Sequence, residues 1–192
     1  MRARASNRES ALSLAVRILE QEGVDRLSLN RLSEDMGVTI RTIYYHFENR
    51  GTLLKCVAVE GARQLINSLD LTLSWPPGGA RLDSAASAYL DFVRLRPRLY
   101  WLLCGNRGLL DDPAVRMAEA AAFDALRSAL ASSEVFEAGQ VDSLASAIWT
   151  IGSGMAASIN MGFGGQSPPH RSVVAIQRGA QLLLSQISTN KE

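Results

Sequence analysis

The sequence predicts an all-α protein, and three observations support this fold class. Apolar residues recur every three or four positions along nearly the whole chain and nowhere alternate with a period of two. Gly and Pro interrupt this pattern at intervals that suit the ends of helices. Apolar residues make up 47% and charged residues 20% of the 192 residues, which is typical of a folded globular chain. We therefore expect about nine helices around a shared core.

Four helices are predicted before the first strong breaker. The first covers about Arg8–Glu22 and stops at a glycine. Ser28 and Thr39 each cap a short helix, and the residue before each cap is apolar, as in a hydrophobic staple. Asn49 caps a longer fourth helix, which ends before the Pro- and Gly-rich run at 75–79. That run is the best linker candidate.

Five helices are predicted beyond the linker, and the last two are unusually apolar. Asp142 is the only charged residue between Val141 and Met161. A helix that is apolar on most of its circumference needs two buried faces, one for its own core and one for a partner. The last two long helices are therefore predicted to form a homodimer interface. The five predicted helices cover about Leu82–Leu95, Arg98–Cys104, Pro113–Ala131, Phe136–Gly162 and Arg171–Ile187.

The chain has almost no net charge, because 20 Lys and Arg against 19 Asp and Glu give +1. Affinity for a polyanion must therefore come from local clustering of basic side chains. No apolar run approaches the roughly 18 residues that span a bilayer, and no signal-peptide core follows the Arg-rich start. We therefore expect a cytoplasmic protein without membrane contact.

The cysteines and histidines of the chain lack the spacing of a zinc site, and we expect no metal, disulfide or cofactor. These residues are Cys56, Cys104, His46 and His170.

Residues 28–46 are predicted to form a helix, a Gly-containing turn and a second helix, an arrangement that lets the second helix enter the major groove of DNA. Short helix pairs also occur as purely structural hairpins, so spacing alone decides little. Composition favours DNA, because the second helix collects polar side chains while Ile43 and Phe47 provide an apolar anchor. The polar residues are Thr39, Arg41, Thr42, Tyr44, Tyr45 and His46.

The stretch Leu29–Leu54, LNRLSEDMGVTIRTIYYHFENRGTLL, resembles the TetR (TetR/AcrR) family of bacterial transcriptional repressors. Gly37-Val38-Thr39 falls at the family's turn, and the helix that follows falls at its recognition helix. Gly51 departs from the family pattern, where a helix former is common, and costs up to about 1 kcal/mol relative to Ala. The resemblance implies a helix-turn-helix DNA-binding domain over residues 1–54 and a ligand-binding and dimerisation domain over residues 55–192.

Individual residues of this segment have predicted roles on DNA. Thr39 and the neighbouring amides at the helix start suit a phosphate oxygen. Arg41 can bond O6 and N7 of guanine, a contact worth roughly 1 to 3 kcal/mol of discrimination, and Thr42 can touch a thymine methyl. Nonspecific attraction is expected from Lys55 and from Arg2, Arg4 and Arg8 in the acid-free start of the chain. The resemblance implies phosphate contacts for Tyr44, Tyr45, His46 and Arg50.

A weaker resemblance extends into the second domain. Trp149–Gly154 is similar to the Trp-x-x-x-His-Gly signature of one TetR subgroup, with Ser153 in place of His. The family resemblance implies a cavity for an unidentified small-molecule effector. Aromatic stripes at helical spacing are also the usual content of an ordinary core. The candidate ligand residues are Phe92, Trp101, Phe123, Trp149 and Ser153.

Alternatives stay open for the residues and for the function. Tyr44 could be a packed hydroxyl, His46 could donate to a carbonyl at the end of its helix, and Arg41 could be a solvated surface residue. An enzyme with Cys104 or a serine as nucleophile lacks a histidine partner at motif spacing and a Gly-rich phosphate loop, so we expect no enzymatic activity. A helical ligand-binding or interaction protein that has lost DNA binding is compatible with Gly51 and the near-zero net charge.

The resemblance therefore implies a ligand-responsive regulator, a repressor of TetR type that binds a palindromic operator as a dimer. The two recognition helices of a dimer must lie about 34 Å apart, or a multiple of that distance, to enter successive major grooves. The relative orientation of the two subunits therefore determines the affinity for DNA. A ligand that prefers another pose changes that affinity through the fourth helix, which joins the two modules. The direction of the response, release or promotion of DNA binding, stays open.

Overall fold

The structure, a computed structural model, describes the backbone of residues 2–161 and the side chains of residues 8–106 and 108–160. This part of the chain is all-α, as predicted, with two short 3-10 segments at Val24–Arg26 and Leu71–Ser74. The helices are α1 Arg2–Glu22, α2 Leu29–Met36, α3 Ile40–Phe47, α4 Arg50–Asp70, α5 Gly79–Leu95, α6 Pro97–Cys104, α7 Arg107–Leu110, α8 Pro113–Ala131 and α9 Ala138–Met161.

Most of the predicted helix bounds agree with the structure, and the exceptions are short or terminal. Helix α8 has the predicted bounds, whereas α1 starts earlier than predicted, at Arg2. The sequence prediction missed α7, because a single turn carries too few residues for a periodic apolar pattern. The helix predicted at Arg171–Ile187 lies outside the described residues.

The predicted helix caps are confirmed by their hydrogen bonds. The Ser28 hydroxyl accepts from the backbone N of Arg31 at 3.2 Å, and the Asn49 carboxamide accepts from the backbone N of Thr52 at 2.9 Å. Each of these bonds satisfies a backbone N–H that has no acceptor inside its own helix. The caps therefore fix where α2 and α4 begin.

Gly37 makes the turn between α2 and α3. Its φ of 63° lies in the left-handed region, which glycine adopts without a steric cost. The N–H of Gly37 then donates to the carbonyl of Glu34, and the N–H of Val38 donates to the carbonyl of Ser33 at 3.0 Å. These two bonds close the end of α2 in a Schellman arrangement and direct the chain into α3.

Helix α4 connects the helix-turn-helix segment to the rest of the described chain. Its first turns contact α3 and α1, and the helix then packs extensively along α8 and α6. Leu53 near its start and Leu65 near its end are both fully buried in one continuous core. The predicted domain boundary after residue 54 falls inside this helix.

Within residues 2–161, no helix has both the length and the apolar character required to cross a membrane. The same residues hold no cluster of three or more His, Cys, Asp or Glu side chains arranged to bind a metal ion.

Candidate nucleic-acid interface

Helix α3 has one buried face and one exposed face. Ile43 and Phe47 are completely buried, whereas the side chain of Tyr44 is 50% exposed and that of Tyr45 is 71% exposed. Arg41 is exposed as well. The apolar face therefore fixes α3 to the core, and the polar face is directed to the surface, where it can meet another molecule.

The two threonines at the start of α3 contact each other. The Thr39 hydroxyl accepts from the backbone N of Thr42 at 3.4 Å, and the two hydroxyl oxygens lie 3.0 Å apart. The Thr39 oxygen thus serves as the N-cap of α3, as predicted from the sequence. The remaining backbone amides at the helix start have no intrahelical acceptor and are the groups that suit an anion.

Aromatic contacts join the exposed and buried faces of α3. The ring centroids of Tyr45 and His46 lie 5.3 Å apart with the rings edge to face, and those of His46 and Phe47 lie 6.3 Å apart. The guanidinium of Arg8, from α1, lies over the Phe47 ring at 5.7 Å from its centroid. The same guanidinium donates to the Cys56 sulfur on α4 at 3.4 Å. Arg8, predicted to add nonspecific attraction for DNA, is thereby placed behind the recognition helix.

Arg50 and Lys55, both predicted to contact DNA, have partners within the chain. Arg50 Nε donates to the carbonyl of Leu27 at 2.9 Å, and its Nη2 donates to the carbonyl of Val24 at 2.6 Å. Lys55 Nζ lies 2.6 Å from Oδ2 of Asp112. Arg50 ties α4 to the connection between α1 and α2, and Lys55 ties it to the start of α8.

A second group of interest lies in the part of the fold built from α5, α6, α8 and α9. Trp149 is at its centre, stacked on Tyr89 with 5.5 Å between centroids and in edge contact with Phe123 at 5.5 Å. The Tyr89 and Tyr100 hydroxyl oxygens lie 2.7 Å apart, and the Tyr100 oxygen lies 3.1 Å from Ser153 Oγ. We call these five residues the tyrosine cluster.

The tyrosine cluster unites three of the predicted ligand residues, Phe123, Trp149 and Ser153. It also contains two residues that the sequence prediction did not single out, Tyr89 and Tyr100. Tyr89 lies on α5 and Tyr100 on α6, so the periodicity of a single helix could not pair them.

The other two predicted ligand residues lie apart from this contact network in the described structure. Phe92 is buried on α5 and Trp101 is half-buried on α6. The Trp101 ring lies directly against Gly105, where any Cβ would overlap it. None of the ring contacts found among the described side chains joins either residue to the tyrosine cluster.

Burial keeps the ionisable groups of this region neutral. Removal from water raises the pKa of Tyr89, of Tyr100 and of the nearby Cys104 thiol above their ordinary values. The thiol also shares a hydrogen bond with the Tyr100 hydroxyl. Because the thiolate is the nucleophilic form of cysteine, Cys104 is poorly suited to nucleophilic catalysis.

Comparison with known proteins agrees with the helix-turn-helix geometry. Residues 11–57 match the family model described as bacterial regulatory proteins, tetR family. The tetracycline repressor protein class D of Escherichia coli is 37% identical over 54 residues, which are 28% of this chain and 25% of that protein. The chain spans between about a quarter and a half of the length of the curated relatives it matches, from 25% to 45%.

Two solved structures share the fold over nearly the whole chain. One is a protein of unknown function from Rhodococcus sp. RHA1, 24% identical, with a TM-score of 0.69 over 91% of this chain and 93% of that one. The other is the TetR family transcriptional regulator PfmR from Thermus thermophilus, 14% identical, with a TM-score of 0.61 over 93% of this chain and 97% of that one. Residues 11–57 therefore resemble the bacterial regulatory proteins of the tetR family, and the chain shares the fold of these two solved structures.

Proposed function

We propose that this protein is a transcriptional regulator that binds double-stranded DNA through the exposed face of α3, acting in the cytoplasm. The observation that carries the proposal is the division of α3 into two faces, with Ile43 and Phe47 buried and Arg41 and Tyr45 at the surface. A helix whose apolar face is packed on the core in this way can enter the major groove while all of its contacts with the core are kept.

The residues on the exposed face have distinct roles in this proposal. Arg41 reads a guanine through O6 and N7, and Thr42 contacts a thymine methyl group. Tyr44, Tyr45 and His46 contact backbone phosphates, as do the backbone amides that follow the Thr39 cap. Arg50 and Lys55 support the module through their contacts within the chain and are not assigned to DNA.

We further propose that two copies pair through α9 and the segment 171–187 and bind a palindromic operator as a repressor. Every exposed residue of 143–160 has a small side chain, which allows another helix to approach closely. The charge-poor composition of the same helix favours burial of that face in a dimer. The exposed small residues are Ser143, Ser146, Ala147, Thr150 and Gly154.

The tyrosine cluster is the proposed place of the small-molecule effector. It combines large aromatic surfaces with a few hydroxyl groups that can orient a ligand, which is the usual make-up of a small-molecule pocket. Its residues come from α5, α6, α8 and α9, so a ligand among them contacts both the proposed dimer helix and α6, which packs on α4. Such a ligand is expected to be apolar or planar, and either to release or to promote DNA binding.

Selection of bound sequences from a random duplex pool tests the DNA-binding proposal. We expect an enriched palindrome, with binding that weakens as salt rises. Arg41→Ala should weaken binding about 10- to 100-fold and relax the preference at one position of each half-site. Arg116→Ala, an exposed arginine of α8, is the matched control and should bind as the unaltered protein does. Failure to enrich any sequence, with no salt-dependent retention of duplex DNA, overturns the proposal and favours a helical ligand-binding or interaction protein.

Sedimentation velocity tests the dimer. We expect a dimer at micromolar protein, dissociated by Ala147→Glu on α9 and unaffected by Ala121→Glu on the exposed face of α8. A stable monomer of the unaltered protein at that concentration contradicts the proposed pairing.

A further inference from the structure

An open groove lies where α1 of the helix-turn-helix module meets α4 and the turn between α5 and α6. Its volume is about 400 Å³, within the range of about 300 to 1,000 Å³ that small-molecule sites occupy. One valine is the only apolar residue of its lining, so the groove differs in chemistry from the aromatic tyrosine cluster. The polar lining residues are Ser13, Arg17, Glu20, Gln21, Gln64 and Arg96.

Two guanidinium groups line the groove, and such groups attract anions. Arg17 and Arg96 are both exposed, and neither makes an ion pair with any side chain that the structure describes. Two other arginines, the half-buried Arg31 and the exposed Arg63, are paired with carboxylates at 2.9 Å and 2.6 Å. An unpaired guanidinium is a planar donor that binds phosphate or carboxylate through two parallel hydrogen bonds.

The Glu20 carboxylate interacts electrostatically with Arg96 and offsets part of the positive charge, but it forms no close ion pair with either arginine. Glu20 Oε1 accepts from the backbone N of Leu99 at 2.6 Å, which directs it toward the first turn of α6. Arg98 lies on the same side and donates to the Glu20 backbone carbonyl at 2.6 Å. The Glu20 carboxylate is therefore already engaged, and Arg17 and Arg96 remain available to an outside anion.

The neutral polar residues suit the body of a ligand that carries hydroxyl groups. Ser13 offers a hydroxyl, and Gln21 offers a carboxamide, which can donate and accept. The Gln64 nitrogen donates to Glu60 at 2.8 Å, and its carbonyl oxygen keeps acceptor capacity for a ligand hydroxyl.

We propose that this groove binds a small phosphorylated polyol, with the phosphate between Arg17 and Arg96 and the hydroxyl groups against Ser13, Gln21 and Gln64. A ligand in this position bridges α1, which belongs to the DNA-binding module, and the turn that leads into α6. It therefore acts directly on the angle between the two modules, at a place separate from the tyrosine cluster. Any effect on DNA affinity rests on the proposed function, whereas binding itself does not.

Isothermal titration of the full chain with glucose 6-phosphate, without DNA, tests the proposal. We expect saturable binding, with inorganic phosphate about tenfold weaker and glucose without measurable binding up to about 10 mM. Arg17→Gln and Arg96→Gln should each weaken glucose 6-phosphate binding about tenfold or more, because each removes a charged hydrogen-bond donor. Arg116→Gln on α8, an exposed arginine outside the groove, should leave binding unchanged.

The proposal is overturned by the absence of saturable glucose 6-phosphate binding up to about 10 mM, or by unchanged binding in the double variant Arg17→Gln, Arg96→Gln. Equal affinity for inorganic phosphate and glucose 6-phosphate overturns the assignment of Ser13, Gln21 and Gln64 to hydroxyl groups. Circular dichroism and the melting temperature establish that each variant is folded. Because the titration contains no DNA, a failure to bind glucose 6-phosphate does not count against the proposed DNA binding. Likewise, a failure to bind DNA does not count against the proposed binding of glucose 6-phosphate.

Discussion

Lys55 Nζ on α4 lies 2.6 Å from Oδ2 of Asp112, the residue that caps α8. The other carboxylate oxygen of Asp112 accepts from the backbone N of Ala114 at 2.9 Å and of Val115 at 3.4 Å. The hydrogen bond from the Lys55 ammonium, together with these backbone bonds, holds the pKa of Asp112 below its ordinary value. One carboxylate thus starts α8 and fastens it to the helix that enters the DNA-binding module.

Replacement of Lys55 by Ala should therefore leave DNA binding almost unchanged. We expect less than about a twofold change in affinity and no change in the salt dependence, because the ammonium is engaged by Asp112 rather than by phosphate. Asp112→Ala should destabilise the protein more than Lys55→Ala does, since it removes the helix cap as well as the ion pair. Fluorescence anisotropy over a series of salt concentrations measures the first effect, and urea unfolding measures the second. A salt slope lowered by about one for Lys55→Ala contradicts this assignment.

The pH dependence of stability should report on Glu20. Burial raises the pKa of this carboxyl from 4.5, and the backbone N–H of Leu99 and the nearby guanidinium of Arg98 oppose the increase only in part. The folded state therefore binds a proton more readily than the unfolded state. The stability that Glu20 contributes is fully present below the unfolded pKa and is lost as pH rises through the folded pKa.

A Glu20→Gln variant isolates this contribution, because the amide oxygen can still accept from Leu99 but cannot titrate. We expect the free energy of unfolding of the unaltered protein, relative to the variant, to decrease as the pH rises above about 4.5, the ordinary pKa of the carboxyl. Urea unfolding at several pH values measures the difference, and the titration of Glu119, whose pKa burial also raises, is common to both proteins. A difference that stays constant or increases with pH is incompatible with the buried position of Glu20.

The features that the sequence predicted are those with short-range causes. Ser28, Thr39 and Asn49 were identified as caps because a cap is a bond between a side chain and a backbone amide only a few residues away. The turn at Gly37 is similarly local, since it depends on one residue in the left-handed region. Local chemistry thus sufficed to place the helix-turn-helix and the buried face of α3.

The features that the sequence did not predict depend on distant partners. The resemblance implies a phosphate contact for Arg50, whereas its hydrogen bonds to carbonyls 23 and 26 residues away could not be predicted from the sequence. Tyr89 and Tyr100 gain their significance from Trp149 and Ser153, which belong to a helix much later in the chain. Tertiary packing decides such contacts, and no periodicity within one helix encodes them.

Gly152 is required by the position of Tyr89. A Cβ at Gly152 would overlap the Tyr89 hydroxyl and ring, and the ring is held there by its stack on Trp149 and by a hydrogen bond to the Trp149 carbonyl. Gly152→Ala should therefore destabilise the protein by about 1 to 3 kcal/mol, as overpacking does in a well-filled core.

Gly139→Ala, a substitution near the start of the same helix and outside the proposed dimer face, is the matched control. No atom lies within 4 Å of a Cβ at Gly139, so the better helix propensity of Ala should leave the stability unchanged or increase it by up to about 1 kcal/mol. Urea unfolding compares the two variants. Equal effects of the two substitutions would show that Tyr89 does not restrict α9.

Glu48 stores backbone strain between the recognition helix and α4. Its φ is 51° with ψ of −53°, and the N–H of Asn49 donates to the carbonyl of Phe47 across it, which is a γ-turn. A side chain is unfavourable in this conformation, whereas glycine tolerates it. Glu48→Gly should therefore stabilise the folded protein by up to about 1 kcal/mol.

Glu34→Gly serves as the comparison, because Glu34 is exposed inside α2 and glycine there should cost about 1 kcal/mol relative to a good helix former. The two Glu→Gly changes remove the same charge and are expected to shift the urea midpoint in opposite directions. The direction of the midpoint shift for Glu48→Gly depends only on the backbone conformation of the turn, since the Glu48 side chain is exposed at the surface. If both changes lower the midpoint by the same amount, the turn at Glu48 holds no strain for glycine to relieve.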